Sequence, residues 1–182
     1  MRITHRFSVA AYDRMIEDGF LTPRDRVELI RGELVPKMPI GAMHASVVTR
    51  LCMLFCRVFG ERVIVSVQPP VVLEDSEPEP DLTLLIKRAD YYASQKPESK
   101  HLLLLIEVSD STVEFDRNTK LPLYAENGIP EYWIVNLEEE CLEIYRSPQS
   151  DGTYRKKLVL HRGDKVSIAA LKETNFEVAD LF

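Results

Sequence analysis

Apolar positions fall along the chain in two rhythms, one of three and four residues and one of two. The helical rhythm appears in "FSVAAYDRMIEDG", residues 7–19, where Ser8 can cap the start and Gly19 can end the run. It returns more strongly in "MHASVVTRLCMLFCRVFG", residues 43–60, which predicts a core helix ending at Gly60. Between them, "RVELIRGELVPKM" predicts two short strands around an Arg31-Gly32 turn. "RVIVSVQPPVVL" predicts a β-branched strand broken at Pro69-Pro70. An acidic, proline-punctuated loop, "EDSEPEP", then leads into the strand "DLTLLI".

The remainder follows the same logic. "RADYYASQKPES" predicts a short helix and turn. "STVEFDRNTKLPLYAENG" predicts a helix at its later end, stopped by Asn127-Gly128. "PEYWIVNL", "CLEIYRS" and "YRKKLVLH" predict three more strands, with "SPQSDG" an exposed loop between the last two. Helices that precede and interrupt a central set of strands, with antiparallel pairs at the end, imply an α/β (α+β) fold around one mixed sheet.

The most apolar strand, "KHLLLLIEVSD" at 100–110, poses the chemical question. Apolar on both faces, it belongs in the middle of the sheet, yet it carries Glu107. An unpaired buried carboxylate costs several kcal/mol, so Glu107 must be protonated, paired or bound to a cation. Asp81 opens one central strand and Glu107 closes another. If these pair antiparallel, the two carboxylates converge at a sheet margin and form a site for a hard divalent cation. Ser109 shares a strand face with Glu107. Asp116, Lys120 and Tyr124, spaced four apart, form one helical stripe that could bring an ammonium to the carboxylates. In the alternative, Glu107 meets an arginine and Lys120 faces solvent beside Asp116. Pro122 bears on this choice. It fits a helix only in the first turn, so the helix is expected to begin near Asn118 or Thr119, with Asp116 outside it.

Composition narrows the classes. The chain has 182 residues, enough for a single domain spanning 1–182. Its 45% apolar and 29% charged content is that of a globular protein, and no window approaches the ~18 consecutive apolar residues of a membrane span. The N-terminus lacks an apolar signal core, and the three cysteines suit small buried thiols, so a reducing cytoplasm is expected. A net charge of −6 argues against non-specific coating of nucleic acid, without excluding an enzyme that holds it locally. Arg155, Lys156 and Lys157 read as a solvated strand face. A sugar hydrolase would need aromatic platforms, and the chain has one Trp.

The ordered set "EPEPDLTLL", "LLLLIEVSDST" and "FDRNTKLPLYAENGIPEYWIVN" resembles the PD-(D/E)XK nuclease superfamily, and within it the bacterial Uma-two family of restriction-endonuclease-like proteins. The similarity runs from about Phe7 to Asn136 and also takes in "RVELIRGELV" and His44. It implies a restriction-endonuclease-like core and Mg²⁺-dependent (or Mn²⁺-dependent) hydrolysis of phosphodiester bonds, with nucleic acid, DNA first, as the partner. Asp81 and Glu107 would be metal ligands and Lys120 the catalytic lysine, with Glu28 a further acidic ligand. His44, Gln68, Ser109 and Tyr124 are accessory candidates; for His44, capping or surface exposure competes with a role in the site. Ser109 stands where the superfamily motif has its lysine, so the helix must supply that group. By analogy with nucleases that cut both strands, a homodimer is expected. The contrasting expectation is a silent module on a nuclease scaffold, because Glu74, Asp75, Glu77 and Glu79 would repel a phosphate backbone.

Overall fold

The computed structural model describes residues 5–182, so the stretch read for a targeting signal begins outside the described residues. Helix α1 (Val9–Glu17) is capped by the Ser8 hydroxyl, which accepts from Ala11 N, and Gly19 follows its end at φ +75°. Strands β1 (Val27–Ile30) and β2 (Glu33–Pro36) form an antiparallel hairpin. The turn between them places both Arg31 and Gly32 at positive φ. Helix α2 (Ala42–Phe59) comes next and ends at Gly60.

The main sheet contains β3 (Val63–Val67), β4 (Leu82–Ile86), β5 (Leu102–Ser109), β6 (Glu131–Asn136), β7 (Cys141–Pro148) and β8 (Tyr154–His161), in that spatial order. β5 and β6 run parallel and every other neighbouring pair is antiparallel. A parallel pair needs a crossover. Here it is a helical run made of α3 (Val113–Phe115), a π-helical turn (Asp116–Lys120) and α4 (Leu121–Glu126). A final hairpin, β9 (Lys165–Ile168) and β10 (Leu171–Glu177), leads to a 3₁₀ turn at Val178–Leu181.

Strand alternation sorts the core into two layers. On one face, Leu104, Ile106, Val108, Trp133 and Val135 pack against Val48, Leu51 and Phe55 of α2 and against Phe176 from the closing hairpin. On the other, Leu105, Tyr132 and Ile134 pack against Leu123 and Tyr124 of α4. Glu107 and Ser109 follow the same alternation as Leu105, so they face the crossover helix. By length and composition Ala42–Arg62 is apolar enough to cross a membrane, at mean hydropathy 1.4. That is more than the run lengths suggested, and the buried stripe Val47–Phe59 shows why: one face of this helix belongs to the core.

Two local expectations need correction, and the acidic loop before β4 proves partly buried. Residues 88–98 form turns without a helix: Arg88 and Ser94 bond the Asp90 carboxylate and organise the segment through side chains instead. The crossover helix begins at Val113, not near Asn118, so Asp116 lies inside it. The reason is the π turn: Leu121 N–H donates five residues back to Asp116 O, and Pro122 then occupies the first turn of α4. The acidic loop is not simply solvated. Ser76 and Glu77 are buried, and Lys96 holds both Glu77 and Asp13.

Candidate active site

Register sets the first two carboxylates together. Leu82 of β4 pairs with Ile106 of β5, so Asp81, one step before, stands beside Glu107. Asp81 is anchored there by Val108 N–H, which donates to Oδ2 at 2.9 Å. His44 enters from the first turn of α2, its Nε2 2.9 Å from the same Oδ2. From the crossover, Lys120 Nζ donates to Glu107 Oε1 at 3.0 Å, and Tyr124 OH donates to the same oxygen at 2.7 Å. Glu28 on β1 lies 3.5 Å from Lys120 Nζ through Oε1, while its Oε2 accepts from Glu79 N.

Asp116 completes the group. Its Oδ2 accepts from Ser109 Oγ at 2.7 Å and from Thr112 Oγ1 at 3.0 Å. Ser109, in the lysine's place, therefore does a different job: it fixes an aspartate on the crossover helix. Gln68 lies at the cavity at positive φ, and its backbone N–H donates to Asp81 O at 3.2 Å. Sequence spacing brought Asp81, Glu107, Lys120 and Tyr124 to one place, and the structure does the same. It also returns Asp116, which the Pro122 reading had left outside the helix, to the stripe as a buried member, and brings His44 from a surface or capping expectation onto Asp81.

The electrostatics follow from burial. Glu107 is 4% exposed, and desolvation pushes its carboxyl well above the ordinary range, against the pull of Lys120. Asp116 is raised for the same reason, again opposed by Lys120. Burial works against the Lys120 ammonium too, yet Glu107, Glu28 and Asp116 outweigh it and hold its pKa above the ordinary lysine value. The bond to Asp81 raises His44, with desolvation opposing. His44 Nδ1 is buried, with no hydrogen-bond partner among the described residues.

One cavity of about 920 Å³ is lined by seven carboxylate residues, Glu28, Asp81, Glu107 and Asp116 among them, and by Lys120, Lys37 and Arg26. Seven carboxylates against three cationic side chains, or four with a protonated His44, leave the lining acidic even with Glu107 neutral, a charge balance that favours a cation. The hydrogen bonds that hold the pair go to Asp81 Oδ2 and Glu107 Oε1, leaving the other oxygen of each side chain clear of them. Among the described residues no three His, Cys, Asp or Glu side chains stand ready as a ligand set. Mg²⁺ does not need one: it is commonly held by one or two carboxylates, water and substrate phosphate. The donor set therefore fits a hard divalent ion.

The sequence profile of the Uma2 family, described as "Putative restriction endonuclease", matches residues 9–179. The chain belongs to the Uma2 family. Among solved structures, one similar fold is that of a "putative nuclease belonging to DUF820" from Anabaena variabilis. It superposes with a TM-score of 0.70 at 16% identity, over 92% of this chain and 96% of that one. No curated protein matches the sequence. The Uma2 match extends past the expected limit at Asn136 and takes in β7 to β10, the part where the motifs thin out. The mixed sheet with flanking helices is the nuclease-like fold expected from the sequence.

Proposed function

We propose that the protein is a metal-dependent nuclease that hydrolyses phosphodiester bonds in nucleic acid. The observation that carries this reading is the Asp81–Glu107 pair, each with one oxygen tied down, beside a buried ammonium in one cavity. Asp81 and Glu107 would hold Mg²⁺ or Mn²⁺, with Glu28 and Asp116 adding negative field behind them. A divalent cation supplies Lewis-acid stabilisation of charge on the phosphoryl oxygens and lowers the pKa of water. Lys120, fixed by Glu107, presents an N–H to the attacked phosphate and offsets the negative charge that grows there. Water adds to phosphorus as the bond to the leaving sugar oxygen breaks, and that oxygen takes up a proton. Val108 N–H and His44 keep the Asp81 carboxylate in one orientation; Tyr124 does the same for Glu107.

One observation favours a second reading, a silent nuclease scaffold: Lys120 and His44 already stand against the two carboxylates within the chain. Plasmid and single-stranded circular DNA incubated with Mg²⁺ or Mn²⁺ separate the two. Cleavage by the wild type, lost in Asp81→Ala and in Glu107→Ala, is the expected result. Equal cleavage by all three proteins would indicate a contaminant, and no cleavage by any would favour the scaffold.

A further inference from the structure

Part of the cavity lining is apolar, and hydrolysis at the carboxylates does not use it. Lining the same cavity as Asp81 and Glu107 are apolar side chains from the β2–α2 connection and the crossover, among them Met38, Ile40 and Phe115. Met38 is 59% exposed and Ile40 48% exposed, and both line the cavity. Phe115 is half-buried, with Lys120 Nζ 6.0 Å from its ring centroid, so the apolar wall reaches the ammonium.

Three features then point to one occupant. First, Asp81 and Glu107 are only 9% and 4% exposed, so a phosphate reaches them by entering the cavity with the group attached to it. Second, about 920 Å³ lies in the roughly 300–1,000 Å³ range of pockets that enclose a ligand of small-molecule size. Third, a paired duplex hides its base faces in the stack and offers an apolar wall little but charged backbone. An unpaired nucleotide offers a phosphate to the carboxylates and a flat π-face to the apolar lining. The cavity's basic rim is also sparse. Arg26 and Lys37 line it, and Lys37 is already paired with Glu79. A protein that tracks duplex phosphates shows a broader basic stripe.

We propose that the cavity takes one unpaired nucleotide, phosphate toward Asp81 and Glu107, base against Met38, Ile40 and Phe115. The substrate is therefore single-stranded nucleic acid or a nucleotide turned out of a duplex. This rests on the nuclease reading for the position of the phosphate. Binding and cleavage are read separately. Fluorescence anisotropy in millimolar Ca²⁺ compares a labelled single-stranded DNA, the same sequence as a perfect duplex, and a duplex with a single-nucleotide bulge. The single strand and the bulge are expected to bind about tenfold tighter than the perfect duplex, the worth of one stacked base at about 1.4 kcal/mol. The Met38→Ser/Ile40→Ser variant changes only exposed side chains. It is expected to keep its circular dichroism spectrum and lose most of that preference. Equal or tighter binding of the perfect duplex, no binding of any probe, or a variant that binds like wild type overturns the proposal. A single-strand preference without cleavage in Mn²⁺ supports it and counts against the nuclease reading alone.

Discussion

Replacing Lys120 by Met removes the ammonium and keeps most of the aliphatic stem. Lys120 is 7% exposed and Glu107 4%, with 3.0 Å between Nζ and Oε1. Breaking one side of a buried pair costs about 3–5 kcal/mol, because the remaining charge is left in a low dielectric. Tyr124 still donates to Glu107, and Glu107 can take up a proton, so the loss at pH 8 is placed at about 3 kcal/mol. The sign with pH follows. Burial already raises the folded-state pKa of Glu107, and without the ammonium it rises further. A carboxyl raised in the folded state lowers stability as pH climbs above its unfolded value. The deficit should therefore grow between pH 5 and pH 8. Lys120's own raised pKa acts only above the unfolded lysine value, outside this window. Urea unfolding followed by the fluorescence of Trp133, the single and fully buried tryptophan, gives the measurement. In a double-mutant cycle, Glu107→Gln in the Lys120→Met background should recover about 2 kcal/mol. A loss below about 1 kcal/mol, equal at pH 5 and pH 8, would refute the reasoning.

Three further outcomes are expected. Tyr124→Phe removes a buried donor to a carboxylate and should cost about 1.5–3 kcal/mol in the same unfolding assay, with a fall in cleavage rate if Glu107 is positioned by it. His44→Ala should weaken Mn²⁺ binding about 10–100-fold by isothermal titration calorimetry, the usual effect of losing a group that orients a ligand carboxylate. Two strands along from Glu107 in the same row, desolvation works to raise Glu143, but bonds from Arg117, Tyr145 and Lys157 outweigh it and hold its carboxyl below the ordinary value. Its stabilisation is present above the unfolded carboxyl pKa and is lost as pH falls through the folded one. Arg117→Met should flatten that acid limb of the stability curve, measured as Tm between pH 3 and pH 7.

The central strands were legible because burial on both faces writes itself as an unbroken apolar run, and the break in that run at Glu107 was itself the clue to the site. Asp81 was legible from its place at the start of its strand. The π turn was not. Pro122 indicates only that the helix cannot continue with ordinary bonding, and a late start satisfies that rule as well as a widened turn does. His44 was ambiguous for a similar reason: a helix N-terminus marks it as polar and near the surface, while its bond to Asp81 depends on how α2 packs across the sheet. The buried acids Glu131 and Glu143 looked like ordinary strand residues. Arg146 and Lys157 come from neighbouring strands, but the Ala169 N–H on Glu131 and Arg117 on Glu143 come from distant elements that only the fold brings near. The same holds for the closing hairpin, whose Phe176 and Val178 cover α2 and the sheet without any local pattern to announce it.

Anomalous diffraction from crystals soaked in Mn²⁺ tests the central claim most directly. The account predicts a peak bridging Asp81 and Glu107 on the oxygens left clear of the anchoring bonds, lost in Glu107→Gln. A map with no peak between these two carboxylates at millimolar Mn²⁺, while Lys120 and His44 keep their bonds, would contradict it.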